Sequence, residues 1–363
     1  MPAAEFYGCK CAAAQLTMSF MEAQREMQEV ACARCGGVIA RHEPLVIVDG
    51  DGVRRSTLAI ESRPLVETET VYHPDCFETT GGQLPAIGAG RVFTEALCGV
   101  DGGDGSFAAV EQAARLVGPG GHLTVLIVTS LRTGTGQMSG DSAKEMVERA
   151  NMLADQAGVS CRVEVDPAGP VHKIVSDWAS VHDLLAIGAP PKSVLAGMLF
   201  SGVAETAIRS LSTPLLVARP MRAASRFGER MLVASDGLRG SDELVAFASR
   251  VAGEGRSALT LIHALGRRSL SRRSRVDAQV QSLQLEGIDG DPAVIESGGA
   301  EDTILAACAR LDASLVVMSS RRRSGVSALG SVSRRVVHHG GCSVLLVPPD
   351  WLQHRITTTV AQA

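Results

Sequence analysis

At 363 residues, with 45% hydrophobic and 20% charged side chains, the chain has the composition of a globular protein of two or three domains, not of a disordered one. A formal net charge of −4 gives no overall attraction to nucleic acid or acidic membrane, and no apolar run approaches the roughly 18 residues of a membrane span. Aromatics make up only 3%, so the cores must be built from Val, Leu, Ile and Ala, which suits parallel sheets covered by helices.

The start, MPAAEFYGCK, lacks the basic-then-apolar order of a signal peptide, so a cytoplasmic location is expected. The nine cysteines are then thiols or metal ligands rather than a disulfide framework. Five of them precede residue 90. Cys9 and Cys11, with one residue between them, have poor spacing for a tetrahedral site. Residues 16–30 read as one amphipathic helix bearing Met18, Met21 and Met27, residues that serve either a core or a partner surface.

Two pairs with ligand spacing follow: Cys32 and Cys35, then His73 and Cys76. Gly36 and Gly37 allow a tight knuckle after the first pair. In a helical first turn, His73 and Cys76 share one face, and Pro74 is tolerated there. Between the pairs, residues 44–48 and 56–60 read as strands joined by a turn at 49–52. Knuckle, hairpin and ligand-bearing helix make the layout of a treble-clef zinc site, and residues 72–77, YHPDCF, resemble the second half of a LIM-type site. A zinc module over residues 1–90 is expected, with Cys32, Cys35, His73 and Cys76 as ligands; four protein ligands make it structural, with no open catalytic position. Seven Lys/Arg stand against twelve Asp/Glu in this region, which opposes DNA binding and favours an unknown protein partner.

From residue 91 the pattern alternates strand and helix, which implies right-handed crossovers and a parallel sheet. Residues 96–100 form a buried strand ending at Asp101, followed by a helix over 106–117 and a strand over 122–128. A Gly-rich loop over 133–140 leads to a helix over 141–157, a strand over 160–165 and a helix ending at 180. Strand four covers 183–187, Gly188, Ala189, Pro190 and Pro191 follow, Ser201 and Gly202 open a last helix, and 214–218 form strand five. The same order returns: strand 231–235, Asp236 and Gly237, strand 258–263, a basic Ser-rich loop over 267–275, a helix to 285, strand 293–296, helix 301–310, strand 315–318, Gly330 and Ser331 opening a helix, and strand 343–347. A loop–helix–strand unit repeating at this distance marks an internal duplication of domain size. Residues 91–220 and 228–349 are the two copies, 221–229 a linker, and 350–363 a flexible tail. Strands 214–218 and 343–347 are short, apolar and terminal, so pairing them would hide both edges and join the copies as an intramolecular pseudo-dimer.

A strand ending in Asp-Gly, a second strand such as LTVLIV, and a Gly-Ser opening the last helix before a Pro-terminated apolar strand resemble the universal stress protein family along about 250 residues. The resemblance implies two tandem five-stranded α/β domains with open, doubly wound parallel sheets. It also implies a stress-response regulatory or adaptor role and, in ATP-binding members, a strand-four loop of the form G-x2-G-x9-G-S/T. Residues carried over to an adenine nucleotide such as ATP are Asp236, Ala264, Ser319, Arg322, Gly330 and Ser331 in the second copy, and Asp101, Val128, Gly188, Ser201 and Gly202 in the first. Glycine amides and a helix start suit phosphate. Pro191 replaces the second glycine in copy one and deletes a donor. In copy two, Ser319 and Arg322 replace glycines, while Arg321, Arg322 and Arg323 offer charge to phosphate. His338 and His339 fit the last turn of a helix, where cations are welcome, and Cys98, Cys161, Cys308 and Cys342 read as core thiols. A slow ATP hydrolase and a nucleotide-free scaffold remain alternatives, because the fold alone does not fix the function.

Overall fold

The computed structural model describes residues 30–39, 45–49, 52–56, 68–73, 76–77, 79–81, 91–128, 140–166, 171–189, 213–221, 226–238, 240–265, 272–285, 293–320 and 330–352. The expected helix over 16–30 apart from its last residue, Cys9, Cys11, Pro74, residues 133–139, Pro190, Pro191, Ser201, Gly202, 222–225, 267–271, Arg321–Arg323 and 353–363 lie outside the described residues. The chain divides into two units, Met1–Pro85 and Ala86–Ala363.

The first unit holds a three-stranded antiparallel sheet in the order β2-β1-β3, from β1 (Leu45–Asp49), β2 (Gly52–Ser56) and β3 (Thr70–Tyr72). The hairpin differs from the expected strands at 44–48 and 56–60. Its register closes at Asp49↔Gly52, so the second strand starts four residues earlier and the turn is shorter. β3 carries no strand signal of its own; three residues gain their place by pairing Val71 with Ile47. Among the described residues its core cluster is Cys32, Ile39, Leu45, Ile47 and Val71, with Val30, Tyr72 and Cys76 against it.

The second unit is built on one ten-stranded sheet in the order β11-β10-β9-β12-β13-β8-β7-β4-β5-β6. The first repeat supplies β4 (Glu95–Val100), α1 (Asp104–Val117), β5 (His122–Val128), α2 (Gly140–Gln156), β6 (Ser160–Asp166), α3 (Val171–Ala179), β7 (Leu184–Gly188) and β8 (Leu215–Ala218). The second supplies β9 (Arg230–Ala234), α4 (Gly240–Gly255), β10 (Ala258–Leu265), α5 (Arg273–Leu285), β11 (Ala293–Ser297), α6 (Ala300–Arg310), β12 (Leu315–Ser319), α7 (Ser331–His339) and β13 (Ser343–Val347). Strands are parallel within each repeat; the pair β8–β13 alone is antiparallel, with Val217, Leu216 and Leu215 opposite Val344, Leu345 and Leu346. Central strands are buried on both faces, which is why they read as continuous aliphatic runs. The outermost strand β6 instead carries the Arg162–Glu164 ion pair, a polar device that discourages further pairing.

A buried polar knot reinforces the β8–β13 seam. The Arg219 guanidinium donates to the carbonyls of Val337 (2.7 Å) and His338 (3.3 Å) in the last turn of α7, where a cation meets the negative end of the helix. The Arg219 amide donates to Ser343 Oγ, Ser343 Oγ to Gln112 Oε1, and Gln112 Nε2 to the Arg219 carbonyl. Burial pulls the guanidinium below its usual range.

Two expectations are corrected. Strand four of the first repeat begins at Leu184 rather than Asp183; the Asp183 carboxylate turns onto the amides of Thr94 (2.7 Å) and Glu95 (3.1 Å) and caps the neighbouring strand. The tail does not begin at 350: residues 349–352 form a helical turn, Leu352 is buried, and the Trp351 ring packs against Phe93 (6.1 Å) and Phe247 (5.5 Å). Few aromatics exist in this chain, and these three meet where the repeats adjoin. Among the described residues, no helix is long and apolar enough to cross a membrane.

Candidate functional site

Cys32, Cys35, His73 and Cys76 converge, their donor atoms all within 4.8 Å of one another. The knuckle is set by local bonds: Cys32 N to Gly37 O (2.8 Å), Gly36 N to Cys32 O (2.9 Å), and an antiparallel bridge between Ala31 and Val38. Gly36 supplies the positive φ (69°) that this turn requires. Across from it, Phe77 N bonds to His73 O (3.0 Å), starting the helical turn that carries Cys76, and Arg34 Nη1 reaches the Cys76 carbonyl (3.2 Å). A Cβ on Gly37 would lie 3.3 Å from Cys35 Sγ and 3.4 Å from the His73 ring, so this glycine leaves room for the ligands.

The donor set fits a zinc ion. Zn–S bonds of about 2.3 Å and Zn–N bonds of about 2.0–2.1 Å at tetrahedral angles separate sulfur from nitrogen by roughly 3.5 Å. Cys35 Sγ and His73 Nδ1 are 3.4 Å apart. Amides of Gly37 and His73 point at Cys35 Sγ and Cys32 Sγ, both at 3.4 Å, as donors to thiolate do. Burial pushes the Cys32 thiol up, but the amides of Cys35, His73 and Arg34 outweigh it and hold it at about 6. Burial, then hydrogen bonding with Cys35 and Cys32 and repulsion from both, pushes Cys76 up to about 11. Three thiols this close resist ionising together unless a cation shares the site.

In the second unit, both repeats place their first strand between strands that run off in opposite directions. β4 lies between β5 and β7, and β9 between β10 and β12. These are the topological switch points of doubly wound sheets, where crevices open at the carboxyl ends of the strands. The two loops there share three features. Asp101 Oδ1 accepts from Gly103 N and Asp236 Oδ1 from Leu238 N, each at 2.9 Å. Gly102 (φ 87°) and Gly237 (φ 67°) take the same left-handed turn. Ser106 Oγ donates to Gly103 O (2.7 Å) and Ser241 Oγ to Leu238 O (2.6 Å). Gly105 therefore corresponds to Gly240.

Those corresponding glycines meet different surroundings. A Cβ on Gly105 would sit 2.7 Å from the Ala189 carbonyl oxygen, and one on Gly188 would sit 2.4 Å from the Gly105 carbonyl carbon. The start of α1 thus lies backbone against backbone on the end of β7. A Cβ on Gly240 meets nothing within 4 Å among the described residues, and the residue matching Gly188 is Ser319, which already carries a side chain. Among the described residues, the second repeat leaves room beside Gly240 at the place where the first is closed by backbone.

Beside it lies a polar network with no counterpart among the described residues of the first repeat. Ser235 Oγ bonds to Gln279 Oε1 (2.7 Å), Gln279 Nε2 to Asp242 Oδ1 (2.6 Å), Arg275 pairs with Asp242, and Arg272 Nη1 reaches the Asp236 carbonyl (3.2 Å). The position of Ser235 is held by the apolar Val100 in the first repeat. Gly237, Asp242, Arg275 and Gln279 border a cleft of about 500 Å³ between α4 and α5.

Of the residues carried over for nucleotide, Asp236, Ala264 and Ser319 stand at the carboxyl ends of three adjacent strands, or in the loop just beyond, and Gly330 caps α7 with no side-chain cap bond. The first-turn amides of α7, beginning with Ser331, have no intrahelical acceptor. Asp101, Val128 and Gly188 occupy the matching strand ends of the first repeat. Arg322, Ser201 and Gly202 fall outside the described residues. His338 and His339 close α7, as a helix end favours. Sequence reading missed Gly105, Gly240 and Gln279. Laying the repeats on each other from Asp101 and Asp236 aligns the two glycines, but their surroundings come from distant segments.

The universal stress protein family model matches residues 93–219 and 228–348. No curated protein sequence matches the chain. A universal stress protein from Archaeoglobus fulgidus DSM 4304 is similar in structure, with a TM-score of 0.57 at 22% identity over 70% of this chain and 98% of its own. A putative universal stress protein from Pseudomonas aeruginosa UCBPP-PA14 is similar with a TM-score of 0.54 at 18% identity, over 74% of this chain and 98% of its own. At these identities the likeness is one of fold.

Proposed function

The chain belongs to the universal stress protein family, and from that premise we propose that it is a stress-response regulatory protein that binds an adenine nucleotide in its second repeat and carries a zinc-stabilised adaptor module in front. The observation that carries the nucleotide reading is the room beside Gly240 among the described residues near β9 and β12, against the backbone-to-backbone closure of Gly105 on Gly188 near β4 and β7. Asp236 stands at the base or ribose end, Ala264 beside it, and Ser319, Gly330 and Ser331 around phosphate, where the amides and positive end of α7 favour an anion. Arg322 adds charge to the same loop. Asp101, Val128, Gly188, Ser201 and Gly202 form the weaker, first-repeat counterpart.

In the module, Cys32, Cys35, His73 and Cys76 hold zinc as a closed structural site. The described core cluster includes Cys32 itself with Cys76 packed against it, so metal binding and folding are coupled. The acidic balance of residues 1–90 directs this surface to a protein partner rather than nucleic acid.

Calorimetric titration of ATP, ADP and AMP into wild type and Gly330→Val tests the nucleotide reading. Wild type should bind at one site and the variant at least tenfold more weakly, because a β-branched side chain obstructs the amides at the helix start. Absence of heat at millimolar ligand, or equal binding by both proteins, sinks it and leaves a scaffold. Metal analysis should give one zinc per chain, and Cys35→Ser should lower that stoichiometry.

A further inference from the structure

We propose that the Cys35 sulfur is the site at which a hydroperoxide oxidises this protein, with Cys32 as the resolving thiol and metal loss as the outcome; the proposal rests on the zinc reading above. Among the seven described thiols, Cys35 alone is exposed. Cys98, Cys308 and Cys342 are buried within the sheet unit, and Cys161 is half-buried. Burial pushes Cys98 and Cys161 up, Cys161 to about 11, so they stay protonated and weakly nucleophilic. Cys35 sits at the tip of the knuckle, an exposed residue whose sulfur meets His73 Nδ1 and the Gly37 amide and lies within 4.8 Å of the Cys32 and Cys76 sulfurs. A metal-bound cysteine is already a thiolate, the form that attacks peroxide.

The second thiol is at hand. The Cys32 and Cys35 sulfurs lie within 4.8 Å of each other and share one short knuckle, so bond formation needs only local movement of that turn. The Cys35 thiolate attacks one peroxide oxygen; the O–O bond breaks, a sulfenic acid forms and hydroxide leaves. The Cys32 thiolate then attacks the Cys35 sulfur and expels the second hydroxide. Two sulfurs lose one electron each, the peroxide gains both, and two protons from water or buffer convert the hydroxides to water. The zinc ion, left with His73 and Cys76, dissociates. The small core around Cys32, Ile39, Leu45, Ile47 and Val71 loses its staple, whereas the sheet unit has its own core and keeps its fold. Oxidant thus acts on the module and spares the nucleotide-binding repeats.

The experiment uses the full chain as purified, with its zinc counted first. Hydrogen peroxide is added at one equivalent with a chromogenic zinc chelator present, and thiols and disulfides are mapped by peptide mass spectrometry. The expected result is release of one zinc and loss of two thiols per chain, a Cys32–Cys35 disulfide, an unshifted melting transition of the sheet unit, and recovery of bound zinc on adding dithiothreitol and zinc. Zinc retained after peroxide overturns the proposal. So does a disulfide from Cys35 to Cys76, Cys9 or Cys11, or thiol loss spread over Cys98, Cys161, Cys308 and Cys342. Protein that carries no zinc before peroxide overturns the metal reading as well. Protein that carries one zinc and keeps it overturns the oxidation alone.

Discussion

The two repeats share strand order, loop bonds and even the left-handed glycine after the first strand, yet they differ at one backbone approach. In the first, Gly188 at the end of β7 and Gly105 at the start of α1 meet with no room for a methyl group. In the second, Ser319 and Gly240 hold the same positions, and among the described residues a Cβ on Gly240 has free space. Duplicated folds therefore need not duplicate sites. One copy has the start of its first helix packed backbone against backbone on the end of β7, and the other leaves that position free among the described residues. Polar investment follows the same division: Ser235, Gln279, Asp242 and Arg275 line the open side, where the first repeat offers Val100.

The comparison breaks most visibly at Gly188. Gly188→Ala forces a Cβ to 2.4 Å from the Gly105 backbone and should destabilise the sheet unit by about 3 kcal/mol or more, since neither side is a flexible side chain. Ser319→Ala at the matching position should change stability by under about 0.5 kcal/mol. Denaturant unfolding of the two variants measures both, and similar losses would erase the distinction.

A pH difference follows next. His182 is fully enclosed in the first repeat; the matching position in the second is Ala313. Its Nδ1–H donates to the Trp178 carbonyl (2.7 Å) and its Nε2 accepts from Thr124 Oγ1 (2.9 Å), so both nitrogens are used in the neutral ring. Burial lowers it to about 4 from an ordinary 6.5, although the bond to Trp178 opposes this. Because the folded value is the lower one, the unfolded chain takes up the proton first as pH falls. The histidine's contribution is present above pH 6.5 and is lost between there and pH 4, a change on the order of 3 kcal/mol. Thermal melts across that window should flatten in His182→Asn; an unchanged slope would mean that other groups set it.

The smaller effects sharpen the comparison in opposite directions. Gly105→Ala, with its Cβ 2.7 Å from the Ala189 oxygen, should cost about 1–3 kcal/mol. Gly240→Ala has free space and should stabilise by about 0.4–1 kcal/mol through the unfolded chain. Opposite signs in parallel melts support the difference between the switch points; equal signs contradict it.

Much was legible before any coordinates. Aliphatic runs separated by helical periods give the strands and their order, because burial on both faces demands apolar residues at every position. Duplication shows in Asp101 and Asp236 and in the Pro-terminated last strands. Cys32, Cys35, His73 and Cys76 stand out because metal ligands need fixed local spacing on each side of the ion. The short β3 was not legible, since it exists only by pairing with β1. Trp351 was not either, since a tail residue has no local signal that it will meet Phe93 and Phe247.

What the sequence by itself determined, then, was periodicity, the repeat, the Cys32, Cys35, His73 and Cys76 quartet and the seam of two apolar terminal strands. Which repeat packs its first helix start against a strand end was decided by tertiary structure alone. Gly105, Gly188 and Gly240 are the same residue in sequence, and each was free to be a hinge, a phosphate contact or a packing point. The choice depends on how closely a helix start approaches a strand end from elsewhere in the chain. That distance is fixed by the packing of whole layers, and no local pattern encodes it.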